Sequence, residues 1–235
     1  MQFKDQQKKK AVTFSYDDGV TQDIRLIELL NKYDLKCTFN LNSQRLGKRG
    51  VLNRDYGRIA HYKIHASDVR FVYEGHEIAA HTLDHPVLPQ VADDAEVIRQ
   101  VEQDRLNLSE LAGYEVIGMA YPGGGVNNDQ RVADLIKSHT SIKYARTITS
   151  NDSFQPQTDL YRFQPSVYHL DFDKMMDLGH KFLELETETP QIFYIWGHSY
   201  EMDYCSDNWR RLEDFFALIS GNDDIFYGTN GEVLL

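Results

Sequence analysis

The chain has 235 residues, enough to bury one sizeable core of the barrel or open-sheet kind without dividing into domains. With 26% charged and 41% hydrophobic residues it has the balance of a globular protein, which excludes a disordered or fibrous one. Its 36 acidic and 25 basic residues give a formal net charge of -11, a field that repels phosphate backbones and argues against a nucleic-acid partner.

The first ten residues, MQFKDQQKKK, read as a solvated tail without the apolar centre of a secretory signal. No later run approaches the roughly 18 apolar residues of a membrane helix. The chain as written is therefore expected in the cytoplasm, away from membranes, or outside the cell or in its envelope if an export signal has been removed. Oligomeric state is left open.

A first strand over 11–16 leads into a helix over 21–33, with Thr21 as N-cap and Ile24, Ile27 and Leu30 on one face. A strand at 37–41 follows, then an irregular surface excursion over 42–74 that is rich in Arg, Lys and Tyr. Strands are predicted at 77–80, 116–121, 143–148, 163–168 and 191–196, and helices at 92–112, 128–139, 172–186 and 206–220. About seven strands alternating with helices, with no internal repeat and no linker, predict a single domain over 1–235. Its architecture is a closed or nearly closed α/β barrel, with an open doubly wound sheet as the alternative. Either architecture puts the chemistry at the C-terminal ends of the strands. Cys37 reads as a buried free thiol, and Cys205 as no partner for it.

Four strand ends carry polar groups. AVTFSYDDGV stops in Asp17-Asp18-Gly19, where successive side chains project to opposite sides, so the two carboxylates can do different jobs; the bland alternative is an Asp-Gly turn. In GHEIAAHTLDHP, His81 and His85 at i and i+4 suit two ligands of one metal, and Pro86 places them on a brief turn or loop. His76 reads as structural. One carboxylate and two imidazoles form a three-ligand site with an open position, the catalytic arrangement of zinc. Such an ion brings the pKa of water from about 15.7 toward 7 and polarises a carbonyl, while the second carboxylate can take the proton. GMAYPGGGV, over 118–126, offers a simple turn or backbone N–H groups near a developing oxyanion. IFYIWGHSYE ends its strand at Gly197-His198, a position for a general acid.

These motifs resemble those of the polysaccharide deacetylase family, the NodB-homology domain of carbohydrate esterase family 4. FSYDDG is similar to that family's TFDDG, HTLDH to its H-[ST]-x-x-H and YIWGHS to its late L-x-H motif, in the same order over roughly residues 10–235. The resemblance implies a distorted (β/α)7 barrel and metal-dependent removal of acetyl groups from a carbohydrate. It implies Asp17 as general base, Asp18, His81 and His85 as ligands of a divalent ion, His198 as general acid and the Gly123 N–H at the oxyanion. Zn2+ is the expected ion, with Co2+ or Mn2+ as alternatives. Tyr121 and Trp196 are expected against the sugar, with Tyr200 as a further stacking candidate.

The family's third motif, R-x-P-[YF], here reads Ala120-Tyr121-Pro122-Gly123, without the arginine that pairs with the base. The fourth, an Arg, Trp and Asp set, is represented by Arg146 and Asp152 in YARTITSND. Arg146 is expected near Asp17 and Asp152 near His198, with Glu201 and Asp203 as competing partners. The rival readings are a metal- or carbohydrate-binding pseudoenzyme of the same fold, a hydrolase of another amide such as a cyclic ureide, a non-haem iron oxygenase and a metallopeptidase using Asp84.

Overall fold

The computed structural model describes residues 3, 5 and 7–235. Ten strands and seven helices alternate along them. In chain order they are β1 (Lys10–Asp17), α1 (Asp23–Lys32), β2 (Cys37–Leu41), β3 (Arg49–Arg54), β4 (Gly57–Tyr62), α2 (Val69–Val72), β5 (Glu77–Ala80), α3 (Asp94–Ala112) and β6 (Gly118–Ala120). There follow α4 (Gln130–His139), β7 (Tyr144–Arg146), β8 (Val167–Tyr168), α5 (Phe172–Glu184), β9 (Gln191–Gly197), α6 (Asn208–Ile219), β10 (Ile225–Tyr227) and α7 (Asn230–Leu234).

The main sheet is parallel, in the order β7-β6-β5-β2-β1-β9-β8. β1, β2 and β9 are buried along their whole length, as strands covered on both faces must be, which is why they read as near-continuous apolar runs. β9 runs beside β1 from Lys10 to Tyr16; β2 takes the other side from Phe14 to Asp17, and β10 fills the space below it against Lys10 to Val12. The two edges meet through one segment. Phe163 N donates to Ala145 O and Phe163 O accepts from Thr147 N, whereas Val167 and Tyr168 pair with β9. The strand expected over 163–168 is thus divided between two neighbours, and Pro165, which has no N–H, stands at the division. The result is the distorted (β/α)7 barrel expected from the sequence, an α/β fold.

The helices cover the sheet where the periodicity placed them. Asp93 caps α3 through Ala95 N, and Gly113, at φ 79°, ends it in the left-handed conformation that favours glycine. Two details of α1 differ from expectation. It starts after Gln22 with no side-chain cap, and Leu26, Ile27 and Leu30 form its inner face while Ile24 is exposed. The N-terminal decade differs too: residues 1, 2, 4 and 6 lie outside the described residues, but Phe3 is buried and stacks on Phe226, and Lys10 opens β1. The excursion over 42–74 contains the antiparallel hairpin β3-β4, whose exit is tied to the first strand end by Thr21 N to Tyr62 O and Ile64 N to Gly19 O. Cys37 is buried and Cys205 exposed, both free.

The first turn of α7 enters the opposite end of the barrel. Buried Asn230 bonds Thr13 and Tyr194 through its side chain and Thr38 through its N–H, and Gly231 N donates to Glu77. That end is therefore filled with satisfied polar groups, and the open cleft lies at the C-terminal strand ends.

Candidate active site

A cleft of about 250 Å³ at those strand ends is lined by Asp17, Asp18, His81, His85, Tyr121, Gly123, Trp196, His198 and Tyr200, among others. Four separate strand-end motifs thus meet in one place.

Asp17 ends β1 and is 2% exposed. Arg146 Nη2 donates to both of its carboxylate oxygens, and Asn40 Nδ2 donates to Oδ1 at 2.8 Å. Burial, the largest single influence, would raise the Asp17 pKa, but Arg146 and the nearby imidazoles together hold the carboxyl below its usual range. Arg146 is itself fully buried, with its guanidinium 4.7 Å from the centre of the Trp196 ring. The arginine lacking at Ala120 is thus supplied by the neighbouring strand, and the tryptophan lacking beside Arg146 comes from β9.

Asp18 begins the turn in a left-handed conformation, φ 87°. Its side chain meets His61 Nε2 at 3.2 Å and Lys63 Nζ at 3.0 Å, and Lys63 also donates to the Asp18 carbonyl at 2.6 Å. Burial raises its pKa, yet the His61 hydrogen bond and the Lys63 charge prevail and hold it well below the carboxylate range.

His81 follows β5. Its Nδ1 lies 2.9 Å from Ala120 O, which assigns the proton to Nδ1 and leaves Nε2 an acceptor; buried Nε2 has no hydrogen-bond partner among the described residues and lies 4.0 Å from Asp17 Oδ2. Asp104 of α3 accepts from the His81 N–H and from Ser43 N, and Asn42 Nδ2 donates to the carbonyls of His81 and Thr82. His85 sits at φ 72° on a loop, not on a helical turn, and its Nε2 is 3.9 Å from Asp18 Oδ1. Burial lowers the pKa of both imidazoles, that of His81 to about 4, so both are neutral near pH 7 and able to donate a lone pair. One ligand atom each from Asp18, His81 and His85 lies within 4.8 Å of the others. With the orphaned His81 Nε2, this donor set fits a divalent ion.

His198 follows β9. Its Nδ1 lies 3.0 Å from Glu201 Oε2, and the Glu201 carboxylate also takes His169 Nε2 at 2.8 Å and Tyr168 OH at 2.5 Å. Burial, the largest single influence, would lower the His198 pKa, but Glu201, with Asp17 and Asp18 adding to it, raises it to about 9. The expected partner Asp152 is elsewhere. It is exposed and pairs with Lys174, while Asp203 bonds Gln22 and Trp209. The sequence held a signal for Glu201: three residues beyond His198, its carboxylate accepts the His198 N–H at 3.1 Å while its own N–H donates to His198 O, as one turn of helix brings them together. No comparable signal marked Asp104, His61 or Lys63.

Trp196 borders the cleft, and its Nε1 has no hydrogen-bond partner among the described residues; Tyr121 borders it too but is fully buried, with its hydroxyl donating to Tyr161 O, so its ring is not presented to a sugar as expected. Gly123, at φ 85°, makes the turn after Pro122, where a Cβ would come within 2.8 Å of Val87; Asn127 fixes that turn by donating to Tyr121 O and Gly123 O. His76 is buried away from the cleft, against Phe39.

Among solved structures, the chain resembles PuuE allantoinase with a TM-score of 0.69 at 12% identity, over 97% of this chain and 90% of that one. It resembles a family 4 carbohydrate esterase from Streptomyces lividans with a TM-score of 0.53 at 13% identity, over 89% of each chain. A CE4 family pseudoenzyme from Bacillus anthracis gives 0.56 at 15% identity, over 97% of this chain and 66% of that one. Likeness at these identities shows a shared fold. No curated protein matches the chain in sequence. The polysaccharide deacetylase family profile matches residues 4–140, more than half of the chain. With that match and the barrel around it, the chain belongs to the polysaccharide deacetylase family, as a hydrolase of carbon–nitrogen bonds other than peptide bonds.

Proposed function

We propose that the chain is a metal-dependent deacetylase that removes acetyl groups from an N-acetylated amino sugar, free or within a polysaccharide. The observation that carries this reading is the opposition, in one cleft, of a buried carboxylate paired with an arginine and an imidazole paired with a glutamate. Arg146 favours the carboxylate form of Asp17, and Glu201 favours the imidazolium form of His198. Between them, Asp18, His81 and His85 would hold a divalent ion, Zn2+ by this donor set, with Co2+ or Mn2+ able to use the same donors. Such an ion supplies Lewis-acid polarisation and a water of lowered pKa.

Asp17 takes the proton as water oxygen bonds to the acetyl carbon, and the Gly123 N–H meets the negative charge gathering on the acyl oxygen. When the carbon–nitrogen bond breaks, His198 gives its proton to the departing amine, leaving acetate and the free amino sugar. Trp196 supplies a flat face for a ring. Beside the cleft, across the 123–126 turn, a second cleft of about 640 Å³ is lined by Asn128, Thr149, Gln157, Arg162 and Gln164, among others. Its amide and hydroxyl groups suit a polyhydroxylated extension of the substrate.

The small catalytic cleft also favours a second reading, hydrolysis of a compact cyclic ureide, the kind of substrate that an allantoinase takes. Both are tested by measuring acetate release from N-acetylglucosamine oligomers, and ring opening of allantoin, with and without chelator, for the wild type and Asp17→Asn. Chelator-sensitive acetate release that the substitution abolishes supports deacetylation. Ring opening without acetate release transfers the site to the ureide. Bound metal with neither activity makes the chain a metal-binding pseudoenzyme.

A further inference from the structure

The cleft is already charge-balanced by its own residues. Asp17 faces Arg146, Glu201 faces His198, and Asp18 faces Lys63. The third pair differs from the others because Asp18 is also a donor of the candidate metal site. Lys63 Nζ is 3.0 Å from Asp18 Oδ1, the same oxygen that looks toward His85 Nε2 at 3.9 Å. The other oxygen, Oδ2, meets His61 at 3.2 Å.

Lys63 is 4% exposed at its side chain, and its backbone is fixed. Its N–H donates to Lys48 O, it forms a bridge with Val20, and Ile64 N, the next donor along, bonds Gly19 O. The ammonium is therefore enclosed at the end of the β3-β4 hairpin, held by both the carbonyl and Oδ1 of Asp18. A divalent ion joining Asp18, His81 and His85 would bring two positive charges to an oxygen that a buried ammonium already neutralises, with two neutral imidazoles as its other donors. Asp17, the other carboxylate beside the site, already shares its charge with Arg146.

We infer that Lys63 is a built-in counter-cation of the metal site, competing with the divalent ion for Asp18 Oδ1, weakening metal binding and coupling metal loading to displacement of the β3-β4 hairpin. The inference rests on the metal-site reading above. It makes Lys63 a positioning residue, acting through Asp18.

The test is zinc titration of the metal-stripped full chain against a chromophoric chelator, for the wild type, Lys63→Met and Lys63→Gln, with folding followed by thermal melting. Hydrogen exchange of residues 49–64 is recorded with and without zinc. Both substitutions are expected to tighten zinc binding at least about tenfold at one ion per chain, and zinc is expected to speed exchange in the wild-type hairpin. Unchanged or weaker affinity in a folded variant overturns the inference and leaves the metal site standing. Zinc saturation of the wild type without any change in hairpin exchange overturns the coupling, whether or not the variants fold. If none of the three chains binds zinc, both the inference and the metal-site reading fall.

Discussion

Asp17 and Asp18 are neighbours in the chain and opposites in their surroundings. Asp17 points into the barrel, where Arg146, Asn40 and the Trp196 ring form a rigid setting supplied by strands β7, β2 and β9. Asp18 points to the rim, where its partners His61 and Lys63 come from a hairpin and the residue after it. One carboxylate is gripped by the core of the fold and the other by an appendage. The difference teaches that two identical side chains acquire separate chemistry from what tertiary structure brings to each, since the local sequence offers both the same turn.

The contrast can be broken most severely on the barrel side. Asp17→Asn is expected to cut kcat by about 10²- to 10⁴-fold, the usual worth of a general base, while zinc binding persists; acetate-release kinetics beside metal analysis checks this. Arg146→Met strands a buried carboxylate and is expected to cost about 3–5 kcal/mol of stability, read by denaturant unfolding. Combining it with Asp17→Asn should recover much of that loss, because the uncompensated charge is then gone. On the rim side, His85→Ala should lower bound zinc below one ion per chain with little change in stability.

A smaller, pH-dependent effect sharpens the role of Glu201. With His198 raised to about 9, its acid form is lost only as pH rises through about 9, so kcat is expected to fall there. The sign for stability is the same: the folded pKa exceeds the ordinary 6.5, so the contribution is full below pH 6.5 and disappears as pH rises through about 9. Glu201→Gln should move the alkaline limb of the pH-rate profile down toward the ordinary histidine range. The smallest effect is expected from Asp152→Asn, which removes an exposed ion pair but keeps a residue type that tolerates φ 53°. Stability should change by less than about 0.5 kcal/mol and activity not at all.

The hairpin and the network behind the histidine show where sequence reading stops. β3 and β4 are polar and mostly exposed, without the alternation of a half-buried strand, so residues 49–62 gave no strand signal. Arg146 lies on a strand of three residues, 129 positions from its partner, and only the family's need for an arginine drew attention to it. Asp152 was nearer in sequence to the right composition and farther in space from the right place.

The sequence by itself determined the order of the strands β1, β2, β5, β6, β7 and β9 and of the helices α1, α3, α4, α5 and α6 between them, together with the four polar strand ends; β3, β4, β10, α2 and α7 escaped it. Parallel strands buried on both faces must be apolar runs, and such runs stop visibly where a charged or glycine residue begins. Tertiary structure alone decided which carboxylate meets Arg146 and which meets Lys63, and that Glu201 rather than Asp152 serves His198. Those pairings depend on sheet register and loop path. They join residues with no periodic relation along the chain, and in a buried cleft burial and the surrounding charges together set the protonation of each group.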